Sequence, residues 1–500
     1  MNTKAGGAAA APAISKKRVP GVLATVMLLC ALTCGAMLVQ GFHSGMEDDA
    51  IYLPAIKKLV NPALYPYDAQ YFSSQTKGFP VLRLVAASVR VSHLPVEMVQ
   101  LLWQIASVFL LIAGCWQVSK RCFSEFRDRL GGVALVASLL TMPVAGTALY
   151  ISDQHLHPRT LSCAALLFAI SAVLDRRYKL ATLLSVAAVA LHPLMGGFGM
   201  IYVVILGLPL ERLRGFNFAL LGGLPLPIIL NRNAAWQEAN ARVSYLHLSH
   251  WAWYEWLGAF APMALLWWFS RVAEKIGSPE LARLCKRLVL FSVLMTAAAM
   301  VVGIPASLDW IAPIQPMRHL QLVYLLMLLA GGGLLAHYVL KSALWRWALL
   351  FVPLCGGMLY AQRDLFPTSP HIDLRGERTE NRWVLAFRWI RDNTPQNAYF
   401  AVDPNYMRRP GEEYFGFRAI AERSKLADYS KDMSVVAVAP DLAPAWKEEV
   451  ESMRGYENFQ RGDFLRLKGK YGVDWALTEK EIAGLDCPYH QKRVFVCRIE

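Results

Sequence analysis

The chain has 500 residues, of which 55% are hydrophobic and 18% are charged, and its formal net charge is +14. Repeated apolar runs near the length of a membrane span, together with a positive mean hydropathy, exclude a disordered, collagenous or ordinary cytosolic chain. The excess charge lies entirely in residues 1–361, because residues 362–500 hold 22 basic and 22 acidic residues. Basic residues set the topology of membrane proteins, so this excess does not indicate a nucleic-acid partner.

In chain order, residues 1–18 are expected to form a disordered cytoplasmic N-terminus. The apolar runs within residues 19–361 predict an α-helical polytopic membrane domain with about eleven spans. Residues 79–94 are expected to form either a further span or an interfacial helix. The expected spans are 19–42, 96–118, 131–151, 158–174, 180–196, 197–210, 216–230, 254–270, 288–304, 319–338 and 347–361.

The distribution of Lys and Arg predicts the orientation, because positively charged loops stay in the cytoplasm. With a cytoplasmic N-terminus, 20 basic residues of the membrane half fall inside and nine fall outside. An odd number of spans then puts residues 362–500 on the outer face. Their helical and β-like periodicities predict a small α/β domain. Cys487 and Cys497 share a polar segment of it and are candidates for a disulfide in an oxidising compartment.

Three adjacent acidic residues, Glu47, Asp48 and Asp49, follow the first span in the predicted first outer loop, residues 43–78. Adjacent carboxylates repel one another, so one should hold its proton more tightly unless a cation lies nearby. The group suits a general base or, through Asp48 and Asp49, a divalent ion such as Mg²⁺ or Mn²⁺, which the sequence does not require. A solvated acidic loop is the alternative. The next segment, AIYLPAIKKLV, is amphipathic and is expected to lie flat on the membrane surface.

Three further polar clusters fall on the same predicted face: DQHLHPR, the end of the fifth span, and QPMRH. Ionisable groups at the edge of the hydrocarbon are costly, so a convergent set predicts a site. A guanidinium can donate two parallel hydrogen bonds to a phosphate, which makes Arg159 and Arg318 candidate phosphate anchors, with snorkelling arginines as the alternative. Zinc binding lacks a defined third ligand. The other candidate residues of these clusters are Asp153, His155, His157, His192 and His319.

The segments EDDAIYLPAIKKLVNPALYPYD, LHPRTL, ALHPLMG, PMRHL, WIRDNTP and KYGVDWALT follow one another between residue 43 and about residue 480. Together they resemble a bacterial branch of the membrane-embedded C-type (GT-C) glycosyltransferase superfamily. The resemblance implies a multi-pass protein of the bacterial inner membrane with a periplasmic C-terminal domain. It also implies transfer of a sugar from a polyprenyl-phosphate-linked lipid donor to an extracytoplasmic acceptor, which is a glycan, a lipid or a protein.

In that superfamily an acidic residue of the first outer loop acts as the base toward the acceptor hydroxyl. Asp48 and Asp49 match the two positions of the acidic pair, whereas the additional Glu47 leaves the base open between Glu47 and Asp48. The resemblance further implies that basic residues hold the lipid phosphate. Its candidates are Arg159, Arg318, His157 and His319.

Two other functions stay open at this stage. One is a non-catalytic assembly protein for surface polysaccharide, in which the acidic loop is structural. The other is a transporter of lipid-linked glycans, which should carry charges deep within several spans, whereas the charges here lie at the outer edge. A cavity that includes Asp48 favours the enzyme, and a sealed loop favours the assembly protein.

Overall fold

The computed structural model describes residues 21–209, 233–303 and 306–500. The predicted N-terminal segment 1–18 and the predicted span 216–230 lie outside the described residues. The helices are α1 Val22–Gln40, α2 Asp49–Val60, α3 Gln70–Ser73, α4 Gln75–Gly78, α5 Pro80–Ser92, α6 Val96–Cys122, α7 Phe126–Ser138, α8 Pro158–Leu174, α9 Tyr178–Leu191, α10 Pro193–Gly207, α11 Ala234–Arg242, α12 Trp253–Lys275, α13 Pro279–Gly303, α14 Leu320–Leu335, α15 Leu344–Leu365, α16 Arg382–Asn393, α17 Phe417–Ala421, α18 Lys431–Val438, α19 Ala443–Ser452 and α20 Arg461–Tyr471. The strands are β1 Phe42–His43, β2 Pro143–Val144, β3 Leu149–Tyr150, β4 Ile372–Asp373, β5 Tyr399–Val402, β6 Ser424–Lys425, β7 Trp475–Thr478, β8 Asp486–Gln491 and β9 Val494–Arg498.

Five helical stretches of the described residues are long and apolar enough to cross a membrane. They are Val22–Gln40, Val96–Cys122, Pro279–Gly303, Trp310–Leu340 and Leu344–Leu365. The helices α8, α9 and α10 are also apolar but have only 17, 14 and 15 residues. The chain is therefore a membrane protein by the length and composition of its helices, while the predicted number of eleven spans is not confirmed.

One predicted span is replaced by a shorter helix and a turn. A span was expected over residues 131–151, but α7 ends at Ser138 and the chain continues into the antiparallel pair of β2 and β3. Pro143 has no backbone N–H to continue a helix, and Gly146 takes a positive φ of 64° in the turn. The resulting turn, residues 143–150, forms one wall of the cavity described below.

The helix α2 is buried inside the protein, which corrects the prediction that it lies flat on the membrane surface. Its apolar side chains pack against α5, and its other side contacts α17. The ammonium of Lys57 is buried with them, 2.8 Å from Glu97 and 2.8 Å from Glu422. These two ion pairs offset the cost of removing the charge from water. The helix thus connects the membrane half to the C-terminal residues.

Residues 382–500 form an α/β unit around a five-stranded sheet in the order β6-β5-β7-β9-β8. The strands β6, β5 and β7 are parallel, and β9 runs antiparallel to β7 and β8. Alternate residues of β5 face opposite sides: Phe400 packs with α16 and α17, and Tyr399 packs with α20. A disulfide joins Cys487 of β8 to Cys497 of β9.

The acidic segment after α1 is attached to this C-terminal region by backbone pairing. The strand β1 pairs in parallel with β4, which follows α15 in the chain, with Phe42 opposite Ile372. Four residues later Met46 forms a bridge with Phe415, and the Gly416 N–H donates to the Gly45 carbonyl at 2.8 Å. The backbone that carries Glu47 and Asp48 is thus fixed by residues far along the sequence.

Candidate functional site

A cavity of about 750 Å³ lies where the acidic segment, the membrane helices and the C-terminal region meet. Its walls come from the turn 143–150, from residues 245–258, from the segment around Arg318 and from the start of α18. Its charged and histidine side chains include Glu47, Asp48, Asp153, His155, Arg159, Arg318 and Lys431. Its aromatic side chains are Tyr150, Tyr245, Trp251, Tyr254 and Tyr324.

Asp48 contacts three basic groups in this cavity. Its Oδ1 accepts a hydrogen bond from Lys431 Nζ at 3.1 Å, and its Oδ2 lies 3.5 Å from His157 Nε2 and 3.8 Å from Arg159 Nη1. The side chain remains 36% exposed. Burial favours the neutral form, but Lys431, His157 and Arg159 outweigh it and hold the pKa of Asp48 well below its usual range. Asp48 is therefore an ionised carboxylate at neutral pH.

The three adjacent acidic residues do not share one environment. Glu47 has a positive φ of 46°, and its carboxylate lies 2.8 Å from Lys431 Nζ. Asp49 is fully buried and accepts hydrogen bonds from the Gly45 N–H at 2.7 Å and from Gln100 Nε2 at 2.8 Å. Burial raises the pKa of Asp49 above its ordinary value.

The contacts of Asp49 do not support the predicted role beside Asp48 as a catalytic or metal-binding group. Asp48 immediately precedes α2 and Asp49 is its first helical residue. Successive helical residues point about 100° apart, so the two side chains diverge. The carboxylate of Asp49 stabilises the acidic segment from within the protein and does not line the cavity wall.

Two arginines face the cavity with hydrogen-bonding capacity to spare. Arg159, in the first turn of α8, forms an ion pair with Asp153 through Nη2, and its Nε and Nη1 have no hydrogen-bond partner among the described residues. Arg318 stacks over Tyr245 at 5.5 Å, and its Nε lacks a hydrogen-bond partner within the same part of the chain. An unsatisfied buried donor costs about 1–3 kcal/mol. An anionic ligand would satisfy both guanidinium groups.

His155 and His157 differ in their position relative to the cavity that Asp48 lines. His155 lines the cavity, and neither of its ring nitrogens has a hydrogen-bond partner in the described ranges. His157 caps α8, since its Nδ1 accepts from the Arg159 N–H at 3.1 Å. Burial, with a further contribution from Arg159, lowers the pKa of His157 to about 4. The ring is therefore neutral, with its proton on Nε2, and it supports Asp48 from behind the cavity wall.

The structure places His192 and His319, two further candidate site residues, where they cap and pack helices. The Nδ1 of His192 accepts from the Met195 N–H at 3.3 Å and so caps α10, while its ring stacks on His157 with centroids 5.7 Å apart. The ring of His319 lies 2.8 Å from the Pro316 carbonyl and 3.4 Å from Ser292 Oγ. Neither ring lines the cavity, so the contacts of His319 do not support a phosphate-binding role.

Lys431 contacts Glu47 and Asp48 in the cavity, and the sequence did not indicate it as a site residue. It is the first residue of α18 and lies more than 380 positions after the acidic segment. Burial disfavours its charge, but Glu47 and Asp48 outweigh this and raise the pKa of Lys431 above its ordinary value. In the sequence it resembles any surface lysine at the start of a short helix, so only the packing of the C-terminal region identifies it.

Comparison with known proteins finds resemblance among solved structures. No protein-family model matches the chain, and no curated protein matches its sequence. The fold is similar to the crystal structure of an archaeal oligosaccharyltransferase, from Archaeoglobus fulgidus, tethered with an acceptor peptide via a disulfide bond. The two chains are 12% identical with a TM-score of 0.46, over 91% of this chain and 69% of the other. At this level of similarity, the cavity residues themselves are the basis for inferring a function.

Proposed function

We propose that the chain is a membrane-embedded glycosyltransferase that moves a sugar from a polyprenyl-phosphate-linked lipid to an extracytoplasmic acceptor. The observation that carries the proposal is a single cavity in which the ionised Asp48 lies beside Arg159, with Arg318 and Lys431 in the same walls. The order of sequence segments that resembles GT-C glycosyltransferases supports the same reaction. The contribution of Asp48 to a cavity wall also favours an enzyme over an assembly protein with a sealed acidic loop.

The cavity residues suit an inverting displacement. Asp48 accepts the proton of the acceptor hydroxyl as its oxygen forms a bond to the anomeric carbon. The bond from that carbon to the phosphate oxygen breaks, and the phosphate leaves with the electron pair. The guanidinium nitrogens of Arg159 and Arg318 that lack a hydrogen-bond partner among the described residues stabilise the charge that develops on the leaving phosphate.

Asp48 is a better candidate for the base than Glu47. Its Oδ2 lies 3.8 Å from Arg159, which we assign to the phosphate, whereas the ion pair of Glu47 is with Lys431. The base and the departing phosphate must both lie close to the anomeric carbon, so the carboxylate next to Arg159 is in the appropriate position.

The size and the walls of the cavity fit a lipid-linked sugar. A volume of about 750 Å³ lies within the range of about 300–1,000 Å³ that is typical of small-molecule sites. Tyr245 and Trp251 present aromatic faces to the cavity, which suit contact with a sugar ring. At α12, Tyr254 lines the cavity while the neighbouring Trp253 and Leu257 are exposed apolar side chains. We propose that the polyprenyl chain enters along this helix.

We also propose that the cavity and residues 362–500 lie on the periplasmic side of a bacterial inner membrane. The excess of basic residues in the predicted inner loops supports this orientation. In this arrangement the lipid donor and the surrounding membrane lipids are the partners of the protein, and the acceptor reaches the cavity from the periplasm.

Transfer of labelled sugar from polyprenyl-phosphate donors by the purified protein in liposomes tests the proposal. Asp48→Asn preserves the shape of the side chain but removes the base, so we expect turnover to fall by about 10²–10⁴-fold. Glu47→Gln is the matched control and should lose much less. Unchanged turnover by the Asp48→Asn protein would remove Asp48 from the mechanism, and equal losses in the two variants would contradict the choice between them.

A further inference from the structure

We infer that the ammonium group of Lys431 takes the position of a divalent cation at the acidic segment, so that sugar transfer needs neither Mg²⁺ nor Mn²⁺. The inference rests on the proposed function for its chemistry. It answers the question that the sequence leaves open, namely whether the adjacent carboxylates hold a metal ion or a base.

The position between the two carboxylates is already filled. Lys431 Nζ lies 2.8 Å from Glu47 Oε2 and 3.1 Å from Asp48 Oδ1. The other oxygen of Asp48 faces His157 and Arg159. A Mg²⁺ ion needs about six oxygen ligands at about 2.0–2.1 Å, and Mn²⁺ likewise prefers oxygen ligands in octahedral geometry. The two carboxylates instead hold a side-chain cation at hydrogen-bonding distance.

The surrounding residues do not supply a metal site. The carboxylate of Asp49, which the sequence suggested as a second ligand, is turned toward Gly45 and Gln100. Within the described ranges, no group of three His, Cys, Asp or Glu side chains could hold a metal ion. Lys431 and Arg159 already form ion pairs with Glu47, Asp48 and Asp153, so these carboxylates are not free to bind a metal ion. With Lys431 between the two carboxylates, the residues present therefore do not fit Mg²⁺ or Mn²⁺.

Lys431 is held firmly where it contacts the carboxylates. Its side chain is only 13% exposed. The next residue, Asp432, accepts from Arg418 Nη1 at 2.6 Å, and this buried pair fixes the first turn of α18. The ammonium supplies one positive charge without the strict geometry of a metal ion. Lys431 is thus a positioning residue that the C-terminal region contributes to the cavity.

Manganese titration of the purified full-length protein, followed by electron paramagnetic resonance, tests the inference without any assay of activity. We expect the wild type to show no saturable Mn²⁺ site at millimolar concentration. The Lys431→Ala protein, with its two carboxylates released, should gain a site that the added change Asp48→Asn removes. A saturable site in the wild type that Asp48→Asn abolishes would overturn the inference.

Sugar transfer provides the second readout. We expect EDTA to change the rate of the wild type by less than about twofold, since no metal is needed to stabilise charge. Lys431→Ala should lose activity, and Lys431→Arg should retain more of it because the positive charge is kept. The control Lys447→Ala, which removes a 3.0 Å ion pair to Glu238 away from the cavity, should behave like the wild type.

Loss of transfer in EDTA with recovery on addition of Mn²⁺ would also overturn the inference. The two readouts separate two kinds of failure. If no polyprenyl-phosphate donor supports transfer, the proposed function fails, whereas the Mn²⁺ titration still decides whether Lys431 excludes a metal ion.

Discussion

Two clusters of charged residues meet at the first turn of α18 and differ in how completely they are paired. The cavity cluster consists of Asp48, Arg159, Arg318 and Lys431. The tail cluster consists of Arg418, Lys425, Asp428 and Asp432, which are all at least 95% buried. Lys431 belongs to the first and the adjacent Asp432 to the second, so one helical turn contributes to both.

The carboxylates of the tail cluster are satisfied by protein donors. Asp432 accepts from Arg418 at 2.6 Å and from the Asp428 N–H at 3.0 Å, and Lys425 donates to Asp428 at 2.8 Å. The cavity cluster leaves Nε and Nη1 of Arg159 and Nε of Arg318 without hydrogen-bond partners in the described residues, whereas the tail cluster leaves Nε of Arg418. Charges that are paired inward hold a structure together, and charges left short of partners beside a cavity are available to a ligand.

The largest expected effect is on the stability of the protein, and it differs between variants of the two clusters. Arg418→Met should lower the free energy of unfolding by about 3–5 kcal/mol, because it leaves the carboxylate of Asp432 buried without its main cation. Arg318→Met should change it by less than about 1 kcal/mol, since Arg318 has no ion pair among the described residues. Unfolding of the detergent-solubilised proteins in denaturant measures both. Equal losses would contradict the comparison.

The next effect concerns Asp373 of β4, a buried carboxylate where β1 and β4 meet, which forms one ion pair within the described part of the chain. Burial raises the pKa of Asp373 to about 7, although Arg388 lies 3.3 Å away. Between the unfolded pKa of about 4 and pH 7, the folded protein binds a proton that the unfolded chain has lost. Stability should therefore fall as the pH rises from about 4 to about 7, by an amount on the order of 2–4 kcal/mol.

Asp373→Asn should remove this dependence on pH, because an amide does not titrate. Thermal unfolding of the wild type and the variant at several pH values between 5 and 8 provides the test. The variant should gain stability relative to the wild type as the pH rises. Parallel curves for the two proteins would show that Asp373 does not titrate in this range.

The smallest expected effect is on the affinity of the cavity for a lipid phosphate. Arg318→Ala should weaken binding of a short-chain polyprenyl phosphate by about 10- to 100-fold, because one charged donor of the cavity is lost. Arg242→Ala is the matched control, since Arg242 also stacks over a tyrosine, Tyr429 at 5.1 Å, but does not line the cavity. Titration of both proteins in detergent measures the affinities. Equal weakening would indicate a general effect of surface charge.

Local patterns in the sequence predict the apolar helices well. The bounds expected for a span at residues 158–174 coincide with those of α8, an apolar helix of 17 residues, because an uninterrupted apolar run favours a helix. The span expected at 131–151 is wrong in its second half, where Pro143 and Gly146 form a turn. A prediction that α2 begins at Asp49 would have indicated that the side chains of Asp48 and Asp49 point in different directions.

Contacts between distant segments could not be predicted in this way. Burial of α2 depends on Glu422, which pairs with Lys57 across 365 positions of sequence. The pairing of Lys431 with Glu47 likewise depends on how the C-terminal region packs. Amphipathic periodicity shows which face of a helix is apolar but not what covers it. Asp48, Arg159 and Arg318 could therefore be predicted from their residue types, whereas Lys431 and the contacts that support the cavity required the structure.

A cryo-electron microscopy map of the protein with bound polyprenyl phosphate tests the central claim most directly. The account predicts phosphate density within hydrogen-bonding distance, about 3 Å, of the guanidinium groups of Arg159 and Arg318, in the cavity that Asp48 lines. Lipid phosphate bound at another surface while this cavity holds only solvent would contradict it.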